Sequence, residues 1–323
     1  MLGVAPRFTR NGLGVVLGSV FEGRLERTPC LLTTAPRGRQ LLMVCDIGGS
    51  QKEQPFETFG FLIFDLDCNP HWLNGQAAFR RNALIQRRRM AFKALNDGLR
   101  RRSLVPFLTL AEVLNGVLVT FAVHKVDRPI MGDGGATHEE LAPLWKPAVI
   151  NRLMWVIYLG AFLVSGFSPV GQDVMFIINE DEIAANVPQL TKLTDLFARA
   201  VSNQQGPMRG HLRCGTTKSD DGSLALEDLA ALPDLTAGAV AEFVAALALK
   251  GAGPLSPLLQ KLPSGVSWKT RQIIPWALAS GGSLERFVCL IDSVPGSQKW
   301  RATIPRWFTV PDLIKSGSLL QTA

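Results

Sequence analysis

Three segments of this sequence place carboxylates where they could act together. Asp46 ends the apolar run 41–46 (LLMVCD), and a Gly-Gly turn follows it. A run this short that stops at a turn predicts a buried strand. Alternation along that strand places Asp46 on the same face as Leu42 and Val44. A carboxylate at the rim of a sheet is partly desolvated and needs a partner, either the amides of its own turn or a cation.

Two further segments bring acids to comparable places. The apolar run 174–178 (VMFII) predicts another buried strand, and the polar residues NEDE follow it directly. Residues 224–250 predict a helix or a pair of helices, with Pro233 beginning the second and Asp234 in its first turn. An acid at that place is commonly a cap or a partner of the helix dipole. Two acid-terminated strands and a late helical acid nevertheless form a constellation that favours shared chemistry.

Converging carboxylates have a definite chemical use. Like charges raise one another's pKa, so three acids stay ionised together only beside cations. Oxygen ligands select Mg²⁺ or Mn²⁺, and two such ions about 3.5–4 Å apart can activate water and stabilise the leaving oxygen of a phosphodiester. In this hypothesis Asp46 bridges the two ions, while Asp234 and either Glu180 or Asp181 each complete one side.

Other elements must position these acids. Strands are predicted at 57–67 and 116–125, and the first of them forms an antiparallel hairpin with 41–46 across the glycine-rich turn. Residues 203–223 predict a polar loop before the last helical segment. The acids therefore sit in a chain that alternates strands with helices, which is typical of an α/β protein.

Residues 76–102 predict one helix with a dense set of cations. Its apolar residues form an approximate inward stripe, and Asp97 is the only acid. A solvated charged face is the ordinary interpretation of such a run. Cations without acidic partners four residues away repel one another, however, and neighbouring phosphates would relieve that repulsion. The nucleic-acid contact predicted here comprises Arg80, Arg81, Arg87, Arg88, Arg89, Lys93, Arg100, Arg101 and Arg102.

The distribution of charge agrees with a polyanionic partner. The net charge of the 323 residues is +7, and it is concentrated at the two ends of the chain. Residues 1–40 contribute +4 and residues 255–323 contribute +5, whereas residues 41–254 are at −2. Basic flanks around a carboxylate-bearing centre suit nucleic acid, although basic ends also occur on ordinary soluble proteins.

Composition narrows the cellular setting. The five cysteines are scattered and form no C-x-x-C pair, so we expect reduced thiols. Residues 153–172 carry no charge, but their strongly apolar part ends near Val164, which favours a buried core helix over a membrane span. The first residues lack a signal-peptide pattern. We therefore predict a cytoplasmic protein with no membrane partner.

Composition also divides the chain into three parts. Residues 1–40 form an N-terminal extension that adds an edge strand or hairpin, or wraps the core. Residues 41–250 form the core. A Pro- and Gly-rich linker opens residues 251–323, a basic region with four of the seven Trp. We predict a small β-rich C-terminal appendage there, whose Trp side chains offer an interface to a protein partner.

Three stretches carry a resemblance to a known family. They are the strand exit 45–49 (CDIGG), the strand end 177–180 (IINE) and the helix 231–239 (ALPDLTAGA), with Lys218 and Ser219 upstream of that helix. Over about residues 41–250 the chain resembles the family catalogued as domain of unknown function 3800. The corresponding family motifs are a strand ending in Asp-Glu-Ser-Gly, a later strand ending in an acid, and a closing helix of the type Leu-Gln-x-Ala-Asp-Leu-x-Ala-Gly-Ala.

The resemblance implies a ribonuclease H-like fold, in which helices flank a mixed sheet. The predicted order β-β-α-β-α-β-α fits that fold. Nuclease activity is a weaker implication, because a shared fold does not fix a function. The chain departs from the family at Ile47, where the family has Glu, at Pro233, where it has Ala, and in its basic first helical region. The third-acid position stays open among Asn179, Glu180 and Asp181.

These observations support one function and leave a second open. The first is a nuclease that hydrolyses phosphodiesters of DNA or RNA with Mg²⁺ or Mn²⁺. The alternative is a non-catalytic nucleic-acid-binding or complex-forming subunit on a degenerate ribonuclease H-like fold, which Ile47 and the basic first helix favour. Metal dependence separates the two. A purely structural partner that uses the Trp-rich region is a third, weaker option.

Overall fold

A mixed β-sheet lies between two layers of helices. Its strands are β1 (Gln40–Gly48), β2 (Phe56–Asp65), β3 (Gly116–His124), β4 (Asp173–Ile178), β5 (Leu212–Thr216), β7 (Leu284–Ser293) and β8 (Trp300–Thr303). Two short strands, β6 (Leu258–Leu259) and β9 (Arg306–Trp307), pair separately. The computed structural model describes residues 12–27, 38–49, 54–85, 88–125, 138–179, 181–205, 210–249, 258–259, 262–279, 282–293 and 299–307.

The seven strands follow the order β5-β4-β1-β2-β3-β7-β8. Strands β1, β3, β4, β5 and β7 are parallel to one another, and β2 and β8 run against them. The predicted α/β class and the β1–β2 hairpin are confirmed, and β1 and β4 are neighbours as their acid-terminated ends suggested. Because β1, β4 and β5 are parallel, their carboxyl ends meet at one edge of the sheet, where α/β proteins commonly bind ligands.

Eight helices occur among the described residues. They are α1 (Leu13–Arg27), α2 (Pro70–Asn82), α3 (Gly98–Ala111), α4 (His138–Leu141), α5 (Pro147–Phe167), α6 (Val187–Gln205), α7 (Ala225–Ala248) and α8 (Trp268–Leu278). Helices α1, α5 and α6 pack on one face of the sheet, and α2, α3, α7 and α8 pack on the other. Residues Leu42 and Val44 belong to the second face, so Asp46 points toward α7, as strand alternation predicted.

Helices α5 and α7 are long and apolar enough to cross a membrane by length and composition alone. Within their most apolar windows, 78% of α5 and 72% of α7 is buried in the protein. The core helices of soluble proteins pass the same test, so these two helices are weak indicators of a membrane.

Helix α7 lies directly on the strands that carry the site. At Gly60 in β2 an added Cβ would lie 2.6 Å from the carbonyl oxygen of Pro233, so only glycine permits this approach. The Thr58 hydroxyl donates a hydrogen bond to the carbonyl of Ala237 over 2.9 Å. This close packing fixes the position of Asp234, which follows Pro233 in the helix. Residues 225–248 form one helix with Pro233 inside it, so Asp234 is not in a first turn and cannot act as a cap.

The basic segment 76–102 is not one helix, contrary to the sequence prediction. Helix α2 ends at Asn82, a 3₁₀ turn covers Phe92–Ala94, and α3 begins at Gly98 behind the N-cap Asp97. The Asp97 carboxylate accepts a hydrogen bond from the Leu99 amide, which stabilises the new helix start. We call residues 88–97 the strap, because they connect α2 to α3 across α7.

Parts of both ends of the chain pack on the central sheet. Within the N-terminal extension, residues 13–27 form helix α1 and not a strand, and this helix buries Leu17 and Phe21 against the sheet. The alternative that the extension wraps the core stays a prediction. In the C-terminal region β7 pairs in parallel with β3, so the predicted separate appendage over 251–323 instead extends the central sheet. Strand β5 lies inside the predicted polar loop 203–223. The strands that pair with β5 and β7 are remote from them in sequence, so local composition could not predict these pairings.

Candidate active-site cleft

A cleft of about 1030 Å³ opens where β1 and β4 end and α7 crosses them. Asp46, Asn179, Asp181 and Asp234 all line it. The structure therefore brings together three of the four carboxylates singled out in the sequence. Glu180, the fourth, lies outside the described residues.

Asp46 is buried at the base of the cleft, with 9% of its surface exposed. Its Oδ1 accepts a hydrogen bond of 2.7 Å from the Ile47 amide, and its Oδ2 accepts one of 2.8 Å from Nδ2 of Asn179. The first bond is the local turn contact expected of an ordinary rim acid. The second crosses from β1 to the end of β4 and connects Asp46 to Asn179, the first residue of the NEDE segment.

The two other described residues of the NEDE segment have different contacts. Asp181 Oδ1 accepts a hydrogen bond of 2.9 Å from the Ile183 amide, which closes a local turn, and Glu182 pairs with Arg152 over 2.9 Å. The buried Oδ1 of Asn179 has no hydrogen-bond partner among the described residues. An unsatisfied buried acceptor beside a buried carboxylate is a common mark of a functional site.

Asp234 faces the cleft from α7. Its Oδ2 accepts a hydrogen bond of 2.6 Å from the amide of Phe92 in the strap. The ring of Phe92 lies against Gly238, where an added Cβ would approach ring atoms to 2.4 Å. Glycine thus lets the strap lie close to α7, and the strap in turn orients the Asp234 carboxylate.

The two aspartates oppose each other electrostatically. Burial raises the pKa of Asp46 well above its ordinary value, and the negative charge of Asp234 raises it further. Burial also raises the pKa of Asp234, while the Phe92 amide and the ammonium groups of Lys93 and Lys269 lower it. Two interacting, partly desolvated carboxylates of this kind share protons or attract a cation.

The chemistry of these donors decides which metal site they could make. Carboxylate oxygens are the ligands that Mg²⁺ and Mn²⁺ prefer. Among the residues that the structure describes, no three His, Cys, Asp or Glu side chains come together to hold one metal ion. The described residues of the site therefore do not by themselves make an all-protein metal cage. Asp46 and Asp234 do fit the usual arrangement for Mg²⁺, in which one or two carboxylates share the ion with water and substrate phosphates.

Several cations of the predicted nucleic-acid contact are neutralised within the protein. Arg80 pairs with the buried Asp228, and Arg89 pairs with Glu227. Both Arg88 and Arg100 pair with Asp97, and the guanidinium of Arg101 lies 4.6 Å from the Trp268 ring centroid. The helix-spacing argument missed these partners because most of them lie far along the chain or on the strap.

The cleft nevertheless keeps a cationic lining. Of the predicted basic run it includes Arg89, Lys93 and Arg100, while Arg80, Arg81, Arg88, Arg101 and Arg102 do not line it and Arg87 lies outside the described residues. Lys218, noted upstream of α7, also lines the cleft, whereas Ser219 beside it does not. Sequence reasoning missed Arg152 and Lys269, which reach the cleft from α5 and α8.

The Trp-rich C-terminal region is largely engaged with its own chain. Trp300 packs edge-on against Trp155 with ring centroids 5.9 Å apart, and Trp276 Nε1 donates a hydrogen bond to Glu112. Trp268 lies beneath Arg101. A protein partner at this region stays a prediction.

Comparison with known proteins gives no independent assignment. No family model matches this chain, and no curated protein is significantly similar to it.

Proposed function

We propose that this protein is a ribonuclease H-like nuclease that hydrolyses phosphodiester bonds of nucleic acid in the cleft, with Mg²⁺ or Mn²⁺ as cofactor. The observation that carries the proposal is that the buried Asp46 and the half-buried Asp234 line one cation-lined cleft and interact electrostatically there. Binding a polyanion requires only the cations, and desolvated carboxylates oppose it. Their presence is understandable if they bind a metal ion or move a proton.

The arrangement of strands supports the ribonuclease H-like part of the proposal. The order β3-β2-β1-β4-β5, with β2 alone antiparallel, is the one expected of that fold. The positions of two polar cleft residues also agree with it, because Asp46 lies near the carboxyl end of the central strand and Asn179 directly follows its parallel neighbour. The resemblance to the family catalogued as domain of unknown function 3800 rests on the same elements.

The residues that line the cleft have different roles in this proposal. Asp46 and Asp234 provide carboxylate oxygens at the base of the cleft, and Asn179 orients Asp46 through its 2.8 Å hydrogen bond. A bound Mg²⁺ or Mn²⁺ would activate water and compensate charge at the phosphate. The lining cations attract the nucleic-acid backbone without selecting a base sequence. The two-ion form of the hypothesis, with Glu180 or Asp181 as a further ligand, stays a prediction.

A second candidate is a nucleic-acid-binding subunit on the same fold that has lost catalysis. Two observations favour it: no three-ligand metal group exists among the described residues, and both oxygens of Asp46 already accept hydrogen bonds. Ile47, where the resembling family has Glu, agrees with this alternative.

One experiment separates the two candidates. The purified protein is incubated with single- and double-stranded DNA and RNA, each with Mg²⁺, Mn²⁺ or a chelator, and products are followed by gel electrophoresis. We expect cleavage of at least one substrate that the chelator abolishes. Binding in a filter assay without any cleavage would favour the subunit, and neither binding nor cleavage would refute both.

A further inference from the structure

Charged side chains line the cleft from several elements. Asp46, Asp181 and Glu182 line the part formed by β1 and the segment after β4. Lys93 of the strap and Lys269 of α8 line the part formed by α7, the strap and α8, which also contains Asp234. The resembling family segment ends near residue 250, so Lys269 is a contribution of the C-terminal region.

Lys269 is held at its position by neutral groups. Its Nζ donates a hydrogen bond of 2.9 Å to the carbonyl of Phe92 and lies 3.9 Å from the centroid of the Phe92 ring. The amide of the same Phe92 binds Asp234. Phe92 therefore connects the Lys269 ammonium to Asp234. The Lys269 side chain is half-buried.

The three described arginines that line the cleft differ from Lys93 and Lys269 in their partners. Arg89, Arg100 and Arg152 each pair with a carboxylate, on Glu227, Asp97 and Glu57 respectively. Neither Lys93 nor Lys269 forms an ion pair with a carboxylate among the described residues. An ammonium has three donors and no acceptor, so Lys269 retains donors after its bond to the Phe92 carbonyl. Because it is partly desolvated and has no carboxylate within ion-pair distance among the described residues, Lys269 is suited to a phosphate.

We propose that Lys93 and Lys269 form an anion subsite that holds a backbone phosphate of the nucleic acid beside Asp234. This inference rests on the proposed function and adds the path that the nucleic-acid strand takes through the cleft. The phosphate lies on the α7 side of the cleft, so the chain of the substrate runs across the strap and α8 and leaves the β1 side to Asp46 and Asn179.

The test measures how binding depends on salt. Affinity for a labelled single-stranded oligothymidine is determined without divalent ions over a range of salt for wild type, Lys93→Gln, Lys269→Gln and the double variant. Each phosphate contact that is lost should reduce the slope of log affinity against log salt by about 0.7. Lys269→Arg should restore most of the slope. Arg199→Gln is the charge-matched control, because Arg199 pairs with Asp195 on α6 at the opposite face of the sheet.

Two outcomes would overturn the subsite. If Lys269→Gln lowers affinity with an unchanged slope, the lysine only holds Phe92 in place. If both single variants behave like Arg199→Gln, phosphates bind elsewhere and the nuclease proposal can still stand. Thermal stabilisation by inorganic phosphate provides the separate measurement: stabilisation that the double variant abolishes supports the subsite even if the wild type binds no oligonucleotide, whereas the absence of both effects rejects it.

Discussion

The β1–β2 hairpin carries a buried aspartate near each of its ends, and the two carboxylates have different hydrogen-bond donors and neighbouring charges. Asp65 is 3% exposed and Asp46 is 9% exposed, so burial does not distinguish them. Asp65 accepts hydrogen bonds from the amides of Gly38 and Asp67 and from Nε2 of Gln172. Asp46 has one backbone and one side-chain donor, and it also meets the charge of Asp234 across an open cleft.

From this difference we propose a structural role for Asp65 and a functional role for Asp46. A carboxylate surrounded by N–H donors is stabilised in its ionised form and ties loops to the sheet. A carboxylate that faces another carboxylate is destabilised, and proteins tolerate such strain chiefly where a ligand relieves it. The hairpin therefore offers its own internal control, because each aspartate can be neutralised and the two consequences compared.

The largest effect is expected for catalysis at the Asp46 end. Asp46→Asn keeps the shape of the side chain but removes the charge that binds a metal ion or proton. We expect chelator-sensitive cleavage to fall by about 10²–10⁴-fold, the range typical of a lost acid–base group. Gel assays of the variant, checked for folding by circular dichroism, measure this. Cleavage that survives the substitution would point to a contaminant or to another site.

A third buried carboxylate extends the comparison to ion pairs. Asp228 is fully buried and pairs with Arg80, and Gln76 donates a further 2.8 Å hydrogen bond to it. Arg80→Gln leaves that charge without its cation, which should cost about 3–5 kcal/mol of unfolding free energy. Urea denaturation measures the loss. A loss below 1 kcal/mol, as for an exposed pair, would mean that the pair does not anchor the strap and α2 to α7.

The Asp65 end should respond in stability and not in activity. Asp65→Asn replaces an acceptor with an amide donor that confronts Gly38 and Gln172. Leaving such groups unsatisfied should cost about 1–3 kcal/mol. Cleavage per folded molecule should stay at the wild-type level, so paired urea denaturation and activity measurements test the contrast with Asp46. A matching loss of activity would show that the two ends are not independent.

The sequence was informative where local pattern and chemistry coincide. Strand β1, its hairpin with β2 and its pairing with β4 follow from short apolar runs that end in acids or turns. The shared cleft of Asp46 and Asp234 could be anticipated for the same reason. Lys269, β7 and the partners of the basic run could not, because their contacts join residues far apart in sequence. The sequence placed a possible helix start at Pro233, but the structure keeps Pro233 inside the continuous helix α7, where it packs against Gly60.

The smallest expected effect, and the finest test of the comparison, is the pH dependence of stability. Because the folded protein raises the pKa of Asp46, its ionisation opposes folding. The group contributes most to stability below the ordinary aspartate pKa of about 3.8, and that contribution is lost as the pH rises through the raised folded value. Asp46→Asn should therefore be more stable than wild type at neutral pH, with each tenfold change in the ionisation constant worth about 1.4 kcal/mol.

The advantage of that variant should shrink as the pH falls and vanish below about pH 3.8, where the unfolded wild type is protonated as well. Thermal unfolding of both proteins across this pH range measures it, without divalent ions because a bound cation would stabilise the ionised wild type. For Asp65→Asn we expect no stabilisation, because the new amide nitrogen would face the N–H donors of Gly38 and Gln172. If Asp46→Asn were instead less stable at neutral pH, the hydrogen bonds from Ile47 and Asn179 would outweigh the repulsion by Asp234, and Asp46 would belong with the structural carboxylates.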